Sequence, residues 1–271
     1  MNLKIMKAPY LAVMEWEVEE GKLDEAAKIW INSKVSNFFE NSVLYKGLTK
    51  NKVIAFAQNL SKLKNLQNHS PENIEVYSVN LKNLLDIEST FQIIKNKYNT
   101  IELLINSAGA GPLGGIREIS DINWIENINL KLLGYIRVSR EVIPLMKNAN
   151  NGRIINIVGT FGKQPSPFFI VGSVINAALL SFTKALSLEL AETNITVNAV
   201  NPGAVQSLLW KETINQILAS GKKELQFLTD PHLKLVQPED VARAVLYLAD
   251  EKNNIITGTS INVDNGVYSG L

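Results

Sequence analysis

The chain is predicted to be an α/β protein, a doubly wound and mostly parallel sheet with helices on both faces and a divergent amino-terminal part. Three observations carry this. From residue 70 onward, short apolar runs alternate with longer segments whose apolar residues recur at helical spacing. Those helical segments are long enough to be crossover connections, which place successive strands parallel and wind them with one hand. No internal repeat, low-complexity tract or long linker interrupts the alternation.

The elements follow in order. Tyr10 to Val18 reads as a strand ended by Gly21. From Leu23 to Phe39, Ala26, Ala27, Trp30, Ile31, Val35, Phe38 and Phe39 recur at steps of three and four, an amphipathic helix. Ser42–Leu48 and Lys52–Gln58 read as two strands of a hairpin around Thr49, Lys50 and Asn51. A short helix over Leu60–Leu66 and a strand over Ile74–Val79 follow, then a helix from Leu84 to Lys97. The strand Ile101–Ile105 opens into Asn106-Ser107-Ala108-Gly109. A long helix covers Trp124–Lys147, with Pro144 expected to interrupt its last turns. Beyond it lie the strand Arg153–Val158, a helix over Val174–Glu192, and the strand Thr196–Val200 running into Asn201-Pro202-Gly203. Helices at Ser207–Ala219 and from Pro238 to Ala249, and a last strand at Ser260–Val263, complete the chain.

Composition excludes more than it identifies. With 271 residues and 46% hydrophobic content there is material for a sizeable core. Zero cysteine removes disulfide, thiolate and sulfur-ligated metal chemistry, and only His69 and His232 are available as imidazoles, so no metal site is expected. A net charge of +1 argues against a nucleic-acid partner. No run reaches the roughly 18–20 apolar residues of a membrane span and no amino-terminal signal pattern stands out, so a cytoplasmic protein without membrane contact is expected.

Taken in order, Asn106-Ser107-Ala108-Gly109, Asn129, Gly152 to Ile157, Asn201-Pro202-Gly203, Pro238-Glu239-Asp240, Thr257-Gly258 and Val263 to Gly266 resemble the short-chain dehydrogenase/reductase family, in its ketoacyl-reductase-like branch. The resemblance covers residues 72–271 and implies a Rossmann-like three-layer sandwich with a lid at about 204–237. It also implies NAD or NADP as hydride carrier, and a site of tyrosine, a lysine four residues later, serine and a helix asparagine. Residues 1–71 form a divergent segment open to two alignments. One sets Ile29–Ile31 as the first strand, so that Asn32 to Phe39 stand where a glycine-rich phosphate loop belongs, without a glycine. The other resembles a small ferredoxin-like (dimeric α+β barrel) domain over residues 10–79, with Val18 to Glu25 as its strand-to-helix turn.

Carried onto this chain, the family's roles fall on unusual residues. Gly159 stands at the serine position, with Thr160 beside it as a second candidate; Gly172 stands at the tyrosine position and Asn176 at the lysine position. Asn129 retains the helix asparagine. Glycine has no proton to transfer and asparagine no charge to lower a neighbour's pKa. Asn106, Gly109 and Asn80 are the remaining cofactor-binding candidates, Asn80 replacing an aspartate usual at that strand end. Phe168 and Trp210 are candidates to line an apolar substrate pocket.

The leading expectation is therefore a degenerate member, a pseudoenzyme without cofactor, serving as a partner subunit or as a binder of an apolar or acyl ligand. It would assemble as a homodimer or tetramer, or pair with a related subunit. The alternatives are an atypical NAD(P)-dependent oxidoreductase acting on a ketone or 3-ketoacyl substrate, and a non-redox cyclase, dehydratase or isomerase.

Overall fold

The computed structural model describes residues 10–13, 52–68, 71–109, 111–221 and 234–270. Its strands are β1 (Tyr10–Val13), β2 (Val53–Ala57), β3 (Ile74–Ser78), β4 (Leu103–Asn106), β5 (Gly152–Ile157), β6 (Ile195–Pro202) and β7 (Ser260–Val263). They form one seven-stranded sheet in the order β3-β2-β1-β4-β5-β6-β7, every pair parallel. The helices are α1 (Leu60–Asn68), α2 (Leu84–Lys97), α3 (Asp121–Asn127), α4 (Gly134–Ala149), α5 (Ile170–Glu189), α6 (Leu208–Ser220) and α7 (Pro238–Ala249). The Rossmann-like three-layer sandwich expected from the alternation is thus present.

The strands send alternate residues to opposite faces, as their period of two requires. Ile54 and Phe56 of β2, Leu104 of β4, Ile154 of β5 and Val197 of β6 meet the apolar faces of α2, α4 and α5. Val53 and Ala55, Leu103, Ile155 and Val200 face the other way, onto α1 and α7. Phe56 anchors the first layer, edge-on to Phe91 of α2 with ring centres 5.7 Å apart. Helix α5 is long and apolar enough by composition to cross a membrane, yet half of that stretch is buried inside the fold, Val171, Ile175 and Leu179 lying in the first layer.

Three expectations are corrected here. The central strand is Tyr10–Val13, paired in parallel with both β2 and β4, so Ile29–Ile31 is not the first strand of the sheet. The ferredoxin-like alternative also fails, because β1, β2 and β3 belong to the single parallel sheet rather than to a small sheet of their own. Both edges of β2 are taken by parallel neighbours, which leaves no place for an antiparallel hairpin partner. The helix expected over 23–39, the strand over 42–48 and the loop expected at Asn32 to Phe39 lie outside the described residues, as do His69 and His232.

Pro144 does not end its helix. Residues 121–149 run on as α3, a π-helical turn over Ile128–Leu133, and α4 with Pro144 inside it. Val138, Val142, Leu145 and Met146 bury the face of α4 on both sides of the proline, and that burial outweighs one missing backbone hydrogen bond.

Candidate active site

The strand order reverses between β1 and β4, so the crevice for a ligand lies beyond the carboxyl ends of these strands and of β5. Asn106 ends β4 at full burial. Its Nδ2 donates to Asn156 Oδ1 (2.9 Å) and Ser139 Oγ (3.3 Å), and Asn156 Nδ2 donates onward to Thr183 Oγ1 (3.0 Å). This buried amide chain ties β4 to β5 and α5, while Asn106 Oδ1 is left without a partner. Gly109 follows at φ +84, a conformation that favours glycine; a Cβ there would lie 3.1 Å from Lys131 Cβ.

Tyr135, on the first turn of α4, closes this end of the sheet. Its buried hydroxyl lies 3.0 Å from both Ala108 O and Ile157 O, bridging the loop after β4 to the end of β5. Burial pushes its pKa far up, so it is a neutral brace. Tyr135→Phe is expected to cost about 1–2 kcal/mol in urea unfolding, because the two buried carbonyls would lose a shared donor. An unchanged midpoint would show that water replaces the hydroxyl.

Gly159, Gly172 and Asn176, which the resemblance sets at the serine, tyrosine and lysine positions, have the following surroundings. At Gly172, an added Cβ would fall 1.9 Å from Phe169 Cε1, so the phenylalanine ring occupies the space a side chain at 172 would need. The same ring lies 5.4 Å from that of Phe161, which is exposed, and comes 3.0 Å from where a Cβ at Gly111 would stand. Gly159, at φ +130, and Gly162 both press on Asn176: their added Cβ atoms would lie 2.9 Å from its side-chain nitrogen and 2.9 Å from its backbone carbon.

At Asn176 a positive charge arrives from another element. Lys131 Nζ donates to Asn176 Oδ1 (2.9 Å) and to Val158 O (2.9 Å). Lys131 is only 9% exposed, both acceptors are neutral, and burial brings its pKa down to about 8. The sequence reading missed this residue, although a signal was there. Lys131, Tyr135, Val138, Val142 and Leu145 are spaced by four, three, four and three, so the lysine sits on the helix's buried stripe. The π-helical turn over 128–133, an irregularity that concentrates at functional sites, carries it.

The other candidates are more dispersed. Asn129 Oδ1 accepts from Arg137 Nη2 (3.4 Å), and Arg137 Nη1 donates to Leu81 O and Lys82 O, so this asparagine braces the loop after β3. Asn80 Oδ1 accepts from Lys82 N (3.0 Å) within that same loop. Thr160 begins the single 3-10 turn after Gly159, and its backbone oxygen accepts from Lys163 and Gln164. Phe168 is half-buried and its carbonyl accepts from Gly114 N. Trp210 is half-buried at the start of α6, its backbone N–H capped by Ser207 Oγ (3.2 Å).

Residues 51–268 match the family described as enoyl-(acyl carrier protein) reductase. The chain is 28% identical to the 3-oxoacyl-(acyl-carrier-protein) reductase FabG of Thermotoga maritima, over 78% of this chain and 83% of that one. It is 35% identical to an uncharacterized oxidoreductase of Schizosaccharomyces pombe, over 68% and 70%. A crystal structure of an actinorhodin polyketide ketoreductase with NADPH superimposes with a TM-score of 0.79 at 25% identity, covering 97% and 98%.

These matches overturn the expectation of a degenerate, cofactor-free pseudoenzyme serving as a non-catalytic partner, and with it the expectation against nicotinamide-dependent carbonyl reduction. The relatives are a reductase and an oxidoreductase, and the superimposed enzyme holds NADPH. The physical reasons lie in the fold. The missing phosphate loop was inferred from a first strand at 29–31, whereas that strand is Tyr10–Val13. The missing cation was inferred from Asn176 alone, whereas Lys131 reaches it from a neighbouring helix. With its sheet order, its strand-end crevice and its match over residues 51–268, this chain belongs to the short-chain dehydrogenase/reductase family.

Proposed function

We propose that the chain is an NADP(H)-dependent oxidoreductase that reduces a ketone or a 3-ketoacyl group on an apolar substrate. The observation that carries this reading is the likeness, across 97% of the chain, to a polyketide ketoreductase with NADPH bound. Two features of the described crevice fit a dinucleotide: bare backbone at Gly109, where a Cβ would crowd Lys131, and the buried, unpartnered Asn106 Oδ1. Residues Asn106 to Gly109, with Asn80 toward the other end, would hold it. When bound, it supplies the hydride.

The chain's own residues do the rest. Phe161 and Phe169 form an aromatic wall beside Gly172 and Gly111, which excludes water and suits an apolar substrate better than a sugar. Phe168 and Trp210 extend that wall under this reading, with residues 204–237 as the lid over the substrate. Asn129 braces the loop after β3 through Arg137, and Thr160 supplies a hydroxyl next to Gly159. A homodimer or tetramer through the outer faces of α4 and α5, with Val174 and Leu188 of α5 exposed, and a cytoplasmic location belong to the same proposal.

The test is direct titration of the purified chain with NADPH and NADH by nucleotide fluorescence. NADPH oxidation is then followed with a 3-ketoacyl thioester and with a cyclic ketone. Saturable NADPH binding with Kd below about 100 μM is expected, within the range usual for enzyme ligands, together with substrate-dependent oxidation. Absence of either sinks the reading.

A further inference from the structure

We infer that Lys131 is the proton donor of this site, giving its proton to the oxygen of the carbonyl under reduction; the assignment rests on the reductase reading above. Among the described residues Lys131 is a buried ammonium at the strand-end crevice whose hydrogen-bond partners, Val158 O and Asn176 Oδ1, are both neutral. A buried charge without a counter-charge is costly to the fold, and such groups persist where chemistry needs them. An ammonium has three N–H donors. Two are committed, and the third is available to a substrate oxygen.

The surroundings support transfer. The elements packed on Lys131 bring Gly109 from the loop after β4, Val158 from the end of β5 and Asn176 from α5, none of which titrates. Tyr135, the titratable group one turn along on its own stripe, stays neutral and holds two carbonyls. Desolvation lowers the ammonium's pKa to about 8, close to the pH at which a general acid is most effective. No tyrosine can do this work at 172, since Phe169 fills that space. In the step itself the carbonyl carbon gains a hydride from reduced nicotinamide dinucleotide, and the carbonyl oxygen gains a proton from Lys131 Nζ as the C=O bond becomes C–OH. The amine left behind is reprotonated from water, so charge and atoms balance.

The experiment compares wild type with Lys131→Met, the double variant Lys131→Met/Asn176→Lys, and Asn176→Asp, which is isosteric and keeps Lys131. NADPH affinity is read by fluorescence, and kcat is read against pH with one 3-ketoacyl thioester. Wild-type kcat is expected to fall as pH rises through about 8, as the ammonium is lost. Lys131→Met is expected to bind NADPH within about threefold of wild type and to lose about a hundredfold to ten-thousandfold in kcat. Returning a cation at 176 is expected to restore at least about tenfold of that loss. Asn176→Asp is expected to shift the alkaline limb upward, because a carboxylate favours the charged lysine. A wild type that binds no NADPH overturns the reductase reading and this assignment together. An active wild type matched by an equally active Lys131→Met, or an alkaline limb that Asn176→Asp leaves in place, overturns the assignment alone.

Discussion

Gly172→Tyr, which restores the residue type of the family pattern, is expected to destabilise the protein by about 3 kcal/mol or more instead of improving it. The first atom of any side chain at 172 would lie 1.9 Å from Phe169 Cε1 and 2.1 Å from Cζ. A phenylalanine ring with open space could swing aside at little cost. This one has Phe161 as its ring neighbour at 5.4 Å and lies against the loop at Gly111, so making room for a tyrosine means taking the ring out of that position. Gly172→Ala isolates the effect and is expected to cost about 1–3 kcal/mol by the same contact. Adding Phe169→Ala should relieve that second cost, so the two substitutions should couple by at least about 1 kcal/mol in a double-mutant cycle of urea unfolding. Additive effects would show that the ring does not occupy the position.

The second large effect is on the pH dependence of stability. In the folded protein Lys131 titrates near 8, below the ordinary 10.5 of a free lysine. Between those values the unfolded chain binds the proton that the native state has released, so stability rises with pH through that window. Below it the buried ammonium costs the native state about 3 kcal/mol, and above it that cost is gone. Lys131→Met has no such group. The stability difference, wild type minus variant, is therefore expected to grow in favour of wild type by about 3 kcal/mol between neutral pH and the upper end of the window. At neutral pH the two should be closer: the variant escapes the desolvation cost, yet leaves Val158 O and Asn176 Oδ1 without a donor. Chemical denaturation of both proteins at several pH values measures this. Parallel profiles would mean that Lys131 is solvated, and would remove the basis for a lowered pKa.

Much of the scaffold was legible in the residues. The helices beginning at Leu84 and Pro238 and the last strand, Ser260–Val263, stand where periodicity and caps place them. Pro238 opens its helix in a capping box between Gln237 and Asp240, a local signal that needs no tertiary information. The family resemblance was legible too, because its motifs sit at strand ends and turns, where backbone geometry restricts the residue. The site is less legible: a motif compares each position with its own counterpart, and at Asn176 it does not see Lys131, which another helix brings there.

The sequence by itself determined the alternation of strands and helices from residue 70 onward, and with it the parallel sheet, because period and turn chemistry are local properties of the chain. It also determined the absence of thiol chemistry. Only the tertiary structure decided three things. Tyr10–Val13 is the central strand, a choice made by pairing with β2 and β4 far along the chain. The space beside Gly172 belongs to Phe169. The cation facing Asn176 is Lys131, 45 residues earlier, delivered by a helical stripe that packs against the ends of β4 and β5. The first and the last are contacts between elements distant in sequence, selected by burial across the sheet; the second is set within one helix start, where the ring of the cap residue Phe169 turns onto Gly172 beside Phe161.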